Sequence, residues 1–155
     1  MIELVEVKVE QAEELHAMQK RTFLPLLNKY LDDDTNPANE PLERLIDKIR
    51  NGRFYNILVN RVIVGAIRIV HRQNSAWISP IFVLPEFQGQ GIAQQAIRLA
   101  EGLFPDHKVW ELQTILQERG NCRLYEKMGY KRTEYKHSIN NRMTLVGYMK
   151  RIGYS

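Results

Sequence analysis

The segment Val83-Leu84-Pro85-Glu86-Phe87-Gln88-Gly89-Gln90-Gly91-Ile92-Ala93 constrains this chain more than any other. A β-rich run ending at Leu84 meets Pro85, passes two closely spaced glycines and opens directly into a helical pattern. Glycine admits left-handed backbone angles and leaves room for close approach to the main chain. Successive N–H groups at a helix N-terminus, aided by the helix dipole, form a site for a phosphate. The same residues also suit a helix that simply starts after a glycine turn. Two familiar phosphate loops are excluded. A dinucleotide fold requires a third small residue where Gln94 stands and should follow the first strand. A Walker loop requires Gly-Lys-Ser/Thr, which is absent.

Around this segment the hydrophobic period alternates between helical and extended. Ile2, Leu4 and Val7 predict a short strand, and Ala12, Leu15, Met18 and Thr22 a helix from about Glu10 to Phe23, ended by Pro25. Tyr30 to Asn36 reads as a loop. Leu42, Leu45, Ile46 and Ile49 predict a second helix, with Pro41 in its first turn and Gly52 just past its end. Phe54 to Val59 and Val62 to Val70 predict a hairpin turning at Asn60-Arg61, and Ala76 to Leu84 a third strand. Gly91 to Phe104 is a helix with a broad apolar stripe. Lys108 to Ile115 is a strand and Asn121 to Met128 a short helix. Tyr130 to His137 and Thr144 to Arg151 are strands around a turn at Ile139 to Arg142. The order β-α-α-β-β-β-α-β-α-β-β implies one α/β domain over residues 1–155 with a mixed sheet.

Composition narrows the function. The chain has 155 residues, is 44% hydrophobic and 26% charged, and carries a net charge of +4. It is long enough to bury a core without a metal or disulfide, and no metal ligand set is expected. The basic residues are scattered and interrupted by Asp32, Asp33 and Asp34, which argues for a solvated surface and against nucleic-acid binding. No apolar stretch approaches a membrane span. The N-terminus lacks the basic start and apolar run of a signal peptide, so a cytoplasmic location is expected. Cys122 is the lone cysteine and has no neighbouring histidine in sequence, which makes it a packing residue.

Two motifs carry a family resemblance. Gln88-Gly89-Gln90-Gly91-Ile92-Ala93 is similar to the signature turn Gln/Arg-x-x-Gly-x-Gly/Ala of the GNAT superfamily, and Ile81 to Glu86 resembles the strand that leads into it. Leu124-Tyr125-Glu126-Lys127-Met128-Gly129-Tyr130 resembles the family's second signature. The fold implied is the GNAT-like mixed sheet. The activity implied is acetyl transfer from acetyl-CoA, as cosubstrate, to a small-molecule or peptide amine. The alternative is a non-catalytic acyl-CoA-binding regulatory module on the same fold.

By that resemblance the backbones of Phe82 and Val83 pair with the pantetheine arm. The amides of Gly89, Gln90, Gly91, Ile92 and Ala93, with Gln88 ahead of them, take the pyrophosphate. In the family the strand of Trp77 to Leu84 splays from that of Lys108 to Ile115 to leave a slot. Tyr125 is the candidate general acid for the leaving thiolate, or else a packing residue. Asn121, one helical turn earlier, either contacts the pantetheine or caps its helix. The family's usual asparagine stands seven residues before the tyrosine, where this chain has Glu118. Glu111 is the candidate base, with Gln113 on the same face of its strand; it also reads as an ordinary exposed residue. His71 and His107 read as surface residues. Asp32, Asp33 and Asp34 either attract a cationic amine or form a solvated, capping loop. The family's C-terminal strands often make dimer contacts, so a homodimer is a further expectation.

Overall fold

The computed structural model describes residues 1–153. The elements are β1 (Ile2–Glu6), α1 (Ala12–Tyr30), α2 (Leu42–Asn51), β2 (Arg53–Val59), β3 (Val62–His71), β4 (Ser75–Val83), α3 (Ile92–Leu103), β5 (Val109–Ile115), α4 (Arg119–Lys127), β6 (Lys131–Asn140) and β7 (Met143–Arg151), with short 3-10 turns at Val9–Gln11, Pro37–Asn39 and Pro85–Phe87. This is the order expected from the hydrophobic periods. One 7-stranded sheet, β1-β2-β3-β4-β5-β7-β6, runs through the molecule. Every neighbouring pair is antiparallel except β4 with β5.

Each face of the sheet carries its own core. On one side α3 and α4 bury Ile97, Ala100 and Tyr125 against Ile67, Trp110, Leu112 and Tyr148. On the other, α1 and α2 bury Leu15, Leu45 and Ile49 against Phe54, Ala66 and Phe82. Alternate residues of a strand face opposite sides, so one strand serves both cores. The β2–β3 turn places Asn60 and Arg61 at φ of 50° and 70°, the left-handed pair that suits a right-twisted hairpin.

The first helix departs from expectation. It does not stop at Pro25 but continues to Tyr30 over 19 residues, ending at the left-handed Leu31. Proline removes one helical hydrogen bond and crowds the preceding turn. The segment beyond it is nonetheless fastened from outside. Tyr30 and Lys29 bond to Glu118, and Asn140 donates to the Tyr30 carbonyl at 2.8 Å. Pro41 likewise caps α2 instead of sitting in its first turn.

Loop Leu31–Pro41 is held by polar contacts. Gln19 is fully buried and donates to the Pro37 carbonyl and to Glu40 Oε1, both at 3.0 Å. Asn36 accepts from the Ala38 N–H at 2.7 Å. No helix among the described residues is long and apolar enough to cross a membrane.

Candidate functional site

Parallel pairing between β4 and β5 lasts for only three positions, Ser75 with Val109, Ala76 with Trp110 and Trp77 with Glu111. Beyond Trp77 the strands diverge. On this edge the β4 backbone from Ile78 to Val83 has no strand partner, while its other edge stays paired with β3. That pairing skips a residue at Arg68, opposite Ser79 and Pro80, and Arg68 Nη1 donates to the Ser79 carbonyl at 2.9 Å. A fork therefore opens in the middle of the sheet.

A cavity of about 690 Å³ lies along the fork. Its floor is Ile81, Phe82 and Val83, one wall is Gln88, Gly89, Gly91, Ile92 and Ala93, and another is Asn121, Leu124 and Tyr125 of α4. Thr22, Phe23, Pro25 and Leu26 of α1 close it from above. Gly89 and Gly91 have φ of 79° and 75°. No atom lies within 4 Å of where a Cβ would stand on either, so conformation and not crowding calls for glycine. Gly91 caps α3, whose first hydrogen bond runs from Gln95 N–H to the Gly91 carbonyl at 3.2 Å. The N–H groups before Gln95 thus have no intrahelical partner. This cradle fits a pyrophosphate. The Gln88 side chain plays another part, donating to the Val83 carbonyl at 2.9 Å and bracing the turn against β4. Gln90 alone of the turn residues does not border the cavity.

Tyr125 is 8% exposed, packed on the rings of Tyr130 and Tyr148 at 6.2 and 6.1 Å. Burial, aided by the neighbouring Cys122 thiol, pushes its hydroxyl up to about 12. The hydroxyl therefore holds its proton throughout the neutral range and is available as a donor.

A second cavity of about 520 Å³ meets the first. Phe23, Leu26, Ile81, Asn121 and Tyr125 border both. Its own walls include Asp32, Trp77, Gln113, Tyr135 and His137. Tyr125 and Asn121 thus stand at the junction.

The remaining expectations divide. Asn121 does not begin α4, which starts at Arg119 with Glu118 as cap, so the capping role falls away and its side chain is free to face the junction. Glu111 borders neither cavity. It stands half-buried at the last paired position, below the opening, whereas Gln113 lines the second cavity. Asp33 and Asp34 are exposed, while Asp32 is buried. Glu118 accepts from Lys29 and Tyr30 and borders the first cavity. Cys122 is buried, its thiol directed toward the carbonyls of Ile115 and Leu116 at 3.8 Å. His71 and His107 contact each other at 2.7 Å and border neither cavity. Periodicity stopped at Pro25 missed the α1 wall, although Phe23, Leu26, Leu27 and Tyr30 continue the helical spacing beyond it.

Known proteins share this fold. Residues 14–130 match the sequence model of the acetyltransferase (GNAT) family. A stretch of 94 residues is 32% identical to the Bacillus subtilis protein YrkN, covering 57% of this chain and 51% of that protein, so the match spans about half of the relative's length. Among solved structures, the PaiA N-acetyltransferase of Thermoplasma acidophilum in complex with coenzyme A superposes with a TM-score of 0.75 at 16% identity, covering 97% of this chain and 99% of that one. The ribosomal-protein-S18-alanine N-acetyltransferase of Escherichia coli gives 0.76 at 13% identity, covering 100% and 96%. At those identities the likeness is one of fold. The forked sheet, the glycine turn heading α3 and a sequence match over most of the chain agree: this protein belongs to the acetyltransferase (GNAT) family.

Proposed function

We propose that the protein transfers the acetyl group of acetyl-CoA to a primary amine by direct attack, the amine being carried by a small molecule or a peptide. The observation that carries this reading is the position of Tyr125, where a cavity headed by the glycine turn meets a second cavity. The unpaired edge of β4 at Phe82 and Val83 is suited to pair with the pantetheine arm, as an added strand would. The free N–H groups from Gly89 to Ala93 are suited to the pyrophosphate. Asn121 is assigned to the pantetheine at the junction.

Chemically, a neutral amine nitrogen arriving through the second cavity attacks the thioester carbon. The C–N bond forms, the carbonyl oxygen gains negative charge, and collapse breaks the C–S bond. The departing sulfur takes a proton from Tyr125. An ordinary thiol titrates near 8.5, well below this phenol, so full transfer in the resting site would be uphill. A thiolate held in the same dry cavity is also destabilised, which narrows the gap. The amine must itself lose a proton. Glu111 stands at the last β4–β5 residue pair, below the opening, so its proposed part is to receive that proton through water.

The relatives support amine acceptors of more than one kind: the Escherichia coli enzyme is described as acting on an alanine of a ribosomal protein, and a further neighbour of TM-score 0.72 is a spermidine N-acetyltransferase chimera. We place the reaction in the cytoplasm, whose reducing conditions suit the free Cys122 thiol. We place a homodimer contact at the outer edge of β6, which has no neighbour in the sheet; sedimentation equilibrium tests it. The reaction itself is tested by thiol release from acetyl-CoA across a panel of amines. Tight acetyl-CoA binding without release for any amine would assign the protein instead to acyl-CoA-dependent regulation.

A further inference from the structure

The second cavity contains a carboxylate that the reaction above does not use. Asp32 follows the left-handed Leu31 at the end of α1 and is only 3% exposed. It accepts hydrogen bonds from the N–H of Thr35 at 3.0 Å and from the Thr35 hydroxyl. Among the described residues, no Lys, Arg or His forms an ion pair with it. No Lys, Arg or Glu borders this cavity, and its lining includes one histidine, His137. Much of the remaining wall is apolar, from Phe23 and Leu26 to Ile81 and Leu145. An ionised carboxylate in such surroundings is costly unless a cation joins it, and two bonds within a turn offset only part of the cost.

Position says which cation. Asp32 borders the second cavity alone, whereas Tyr125 borders both. The attacking nitrogen has to be neutral and has to stand at the junction. A nitrogen seated beside Asp32 keeps its proton, because an adjacent carboxylate favours the charged form. The two nitrogens are therefore different atoms. We infer that the acceptor is a diamine-type molecule, with one amine presented to Tyr125 and a second, cationic nitrogen held by Asp32 across an apolar spacer. This inference rests on the acetyl-transfer reading for its chemistry and on the cavity for its charge pattern.

Three acceptors of equal chain length test it: cadaverine, pentylamine and aminovalerate. The expected KM for cadaverine lies about 10- to 100-fold below that for pentylamine, as a charge-assisted hydrogen bond provides, and aminovalerate is the poorest. Asp32→Asn keeps an oxygen for the Thr35 N–H but removes the charge. It should raise the cadaverine KM by that factor and move the pentylamine KM far less, closing the gap. Equal KM values for the three in the wild type, or a gap that survives Asp32→Asn, overturns the inference. If Asp32→Asn does not fold, Asp32→Glu is read instead: a cadaverine KM raised with kcat kept supports the seat, and an unchanged KM overturns it. If no amine releases thiol, the acetyl-transfer reading fails on its own. Calorimetric titration of cadaverine into the protein with coenzyme A then decides the site. Binding weakened by Asp32→Asn upholds the cation seat, and no binding overturns it.

Discussion

Tyr30 donates its hydroxyl to Glu118 at 2.5 Å, and Lys29 reaches the same carboxylate oxygen at 2.8 Å, so the last turn of α1 is fastened to the cap of α4. Burial alone would push the Glu118 carboxyl up. The hydrogen bonds from Lys29 and Tyr30 outweigh it and hold the group below its usual range. A carboxyl lowered in the folded state contributes stability above its unfolded value, and that contribution is lost as pH falls through the folded one. Glu118→Gln should cost about 1 kcal/mol near neutral pH, a Tm lower by about 2–4 °C for a chain of this size. The difference from wild type should shrink as pH falls below about 4. Scanning calorimetry at both pH values checks this; an identical Tm near neutrality would leave the clamp without energetic weight.

Gly91→Ala places a Cβ into open space but forces a φ of 75° on a residue that avoids it. The expected loss is about 1–2 kcal/mol, and more for the branched Gly91→Val. Both should shrink the thermal stabilisation given by acetyl-CoA, because the turn either relaxes or loses its aim at the phosphate. Thermal shift against acetyl-CoA concentration measures it. An undiminished shift in Gly91→Val would remove the turn from the binding site.

Tyr125→Phe should keep the dissociation constant for acetyl-CoA while lowering kcat by about 10²-fold, the usual weight of a positioned acid. Single-turnover kinetics isolate the chemical step. If that step is unaltered, Tyr125 is a core residue of the α4 contact and nothing more.

The same hydroxyl predicts an alkaline weakness. Its value of about 12 in the folded chain lies above the ordinary 10, so the folded state holds this proton longer than the unfolded one. Stability should decline as pH rises from about 10 to 12, by about 1.4 kcal/mol at pH about 11 from this group alone. Tyr148 and Tyr130 are raised as well by burial and by hydrogen bonds to Glu126 and Glu101, and they add to the decline. Urea unfolding at pH about 8 and about 11 should show a smaller drop for Tyr125→Phe than for wild type.

Glu111→Gln should move the rate profile to higher pH, where more of the amine is already neutral. The displacement should be modest, since the carboxylate stands at the last β4–β5 residue pair and borders neither cavity. A profile that does not move hands deprotonation to solvent or to the acceptor itself.

Local pattern recovered the elements around the site because each one buries a single regular stripe. The apolar spacing of Ile92, Ala96, Ile97 and Ala100 is enough to define α3, and Gly89 with Gly91 is enough to mark its head. Pro25 misled for the opposite reason. What carries α1 past it is a set of contacts from Glu118 and Asn140, remote in sequence, and no local propensity contains them. Asp32 was unreadable in the same way. Its neighbours Asp33 and Asp34 have the same side chain but face solvent, whereas Asp32 is buried and bonded to Thr35.

The sheet resembles a plate with a crack that stops partway. Three residue pairs between β4 and β5 join its two leaves at one end, and α1 spans the gap at the other like a tie, its Phe23 ring 5.8 Å from Phe82 on one leaf and its Tyr30 carbonyl held by Asn140 on the other. A pantetheine arm laid along the open edge of β4 would fill the crack with the hydrogen bonds that β5 withholds. The mechanical result is a molecule that stiffens along one seam when loaded, so amide exchange should slow most on β4 beyond Trp77 and in α1 beyond Thr22, while β1 and β2 keep their unloaded rates.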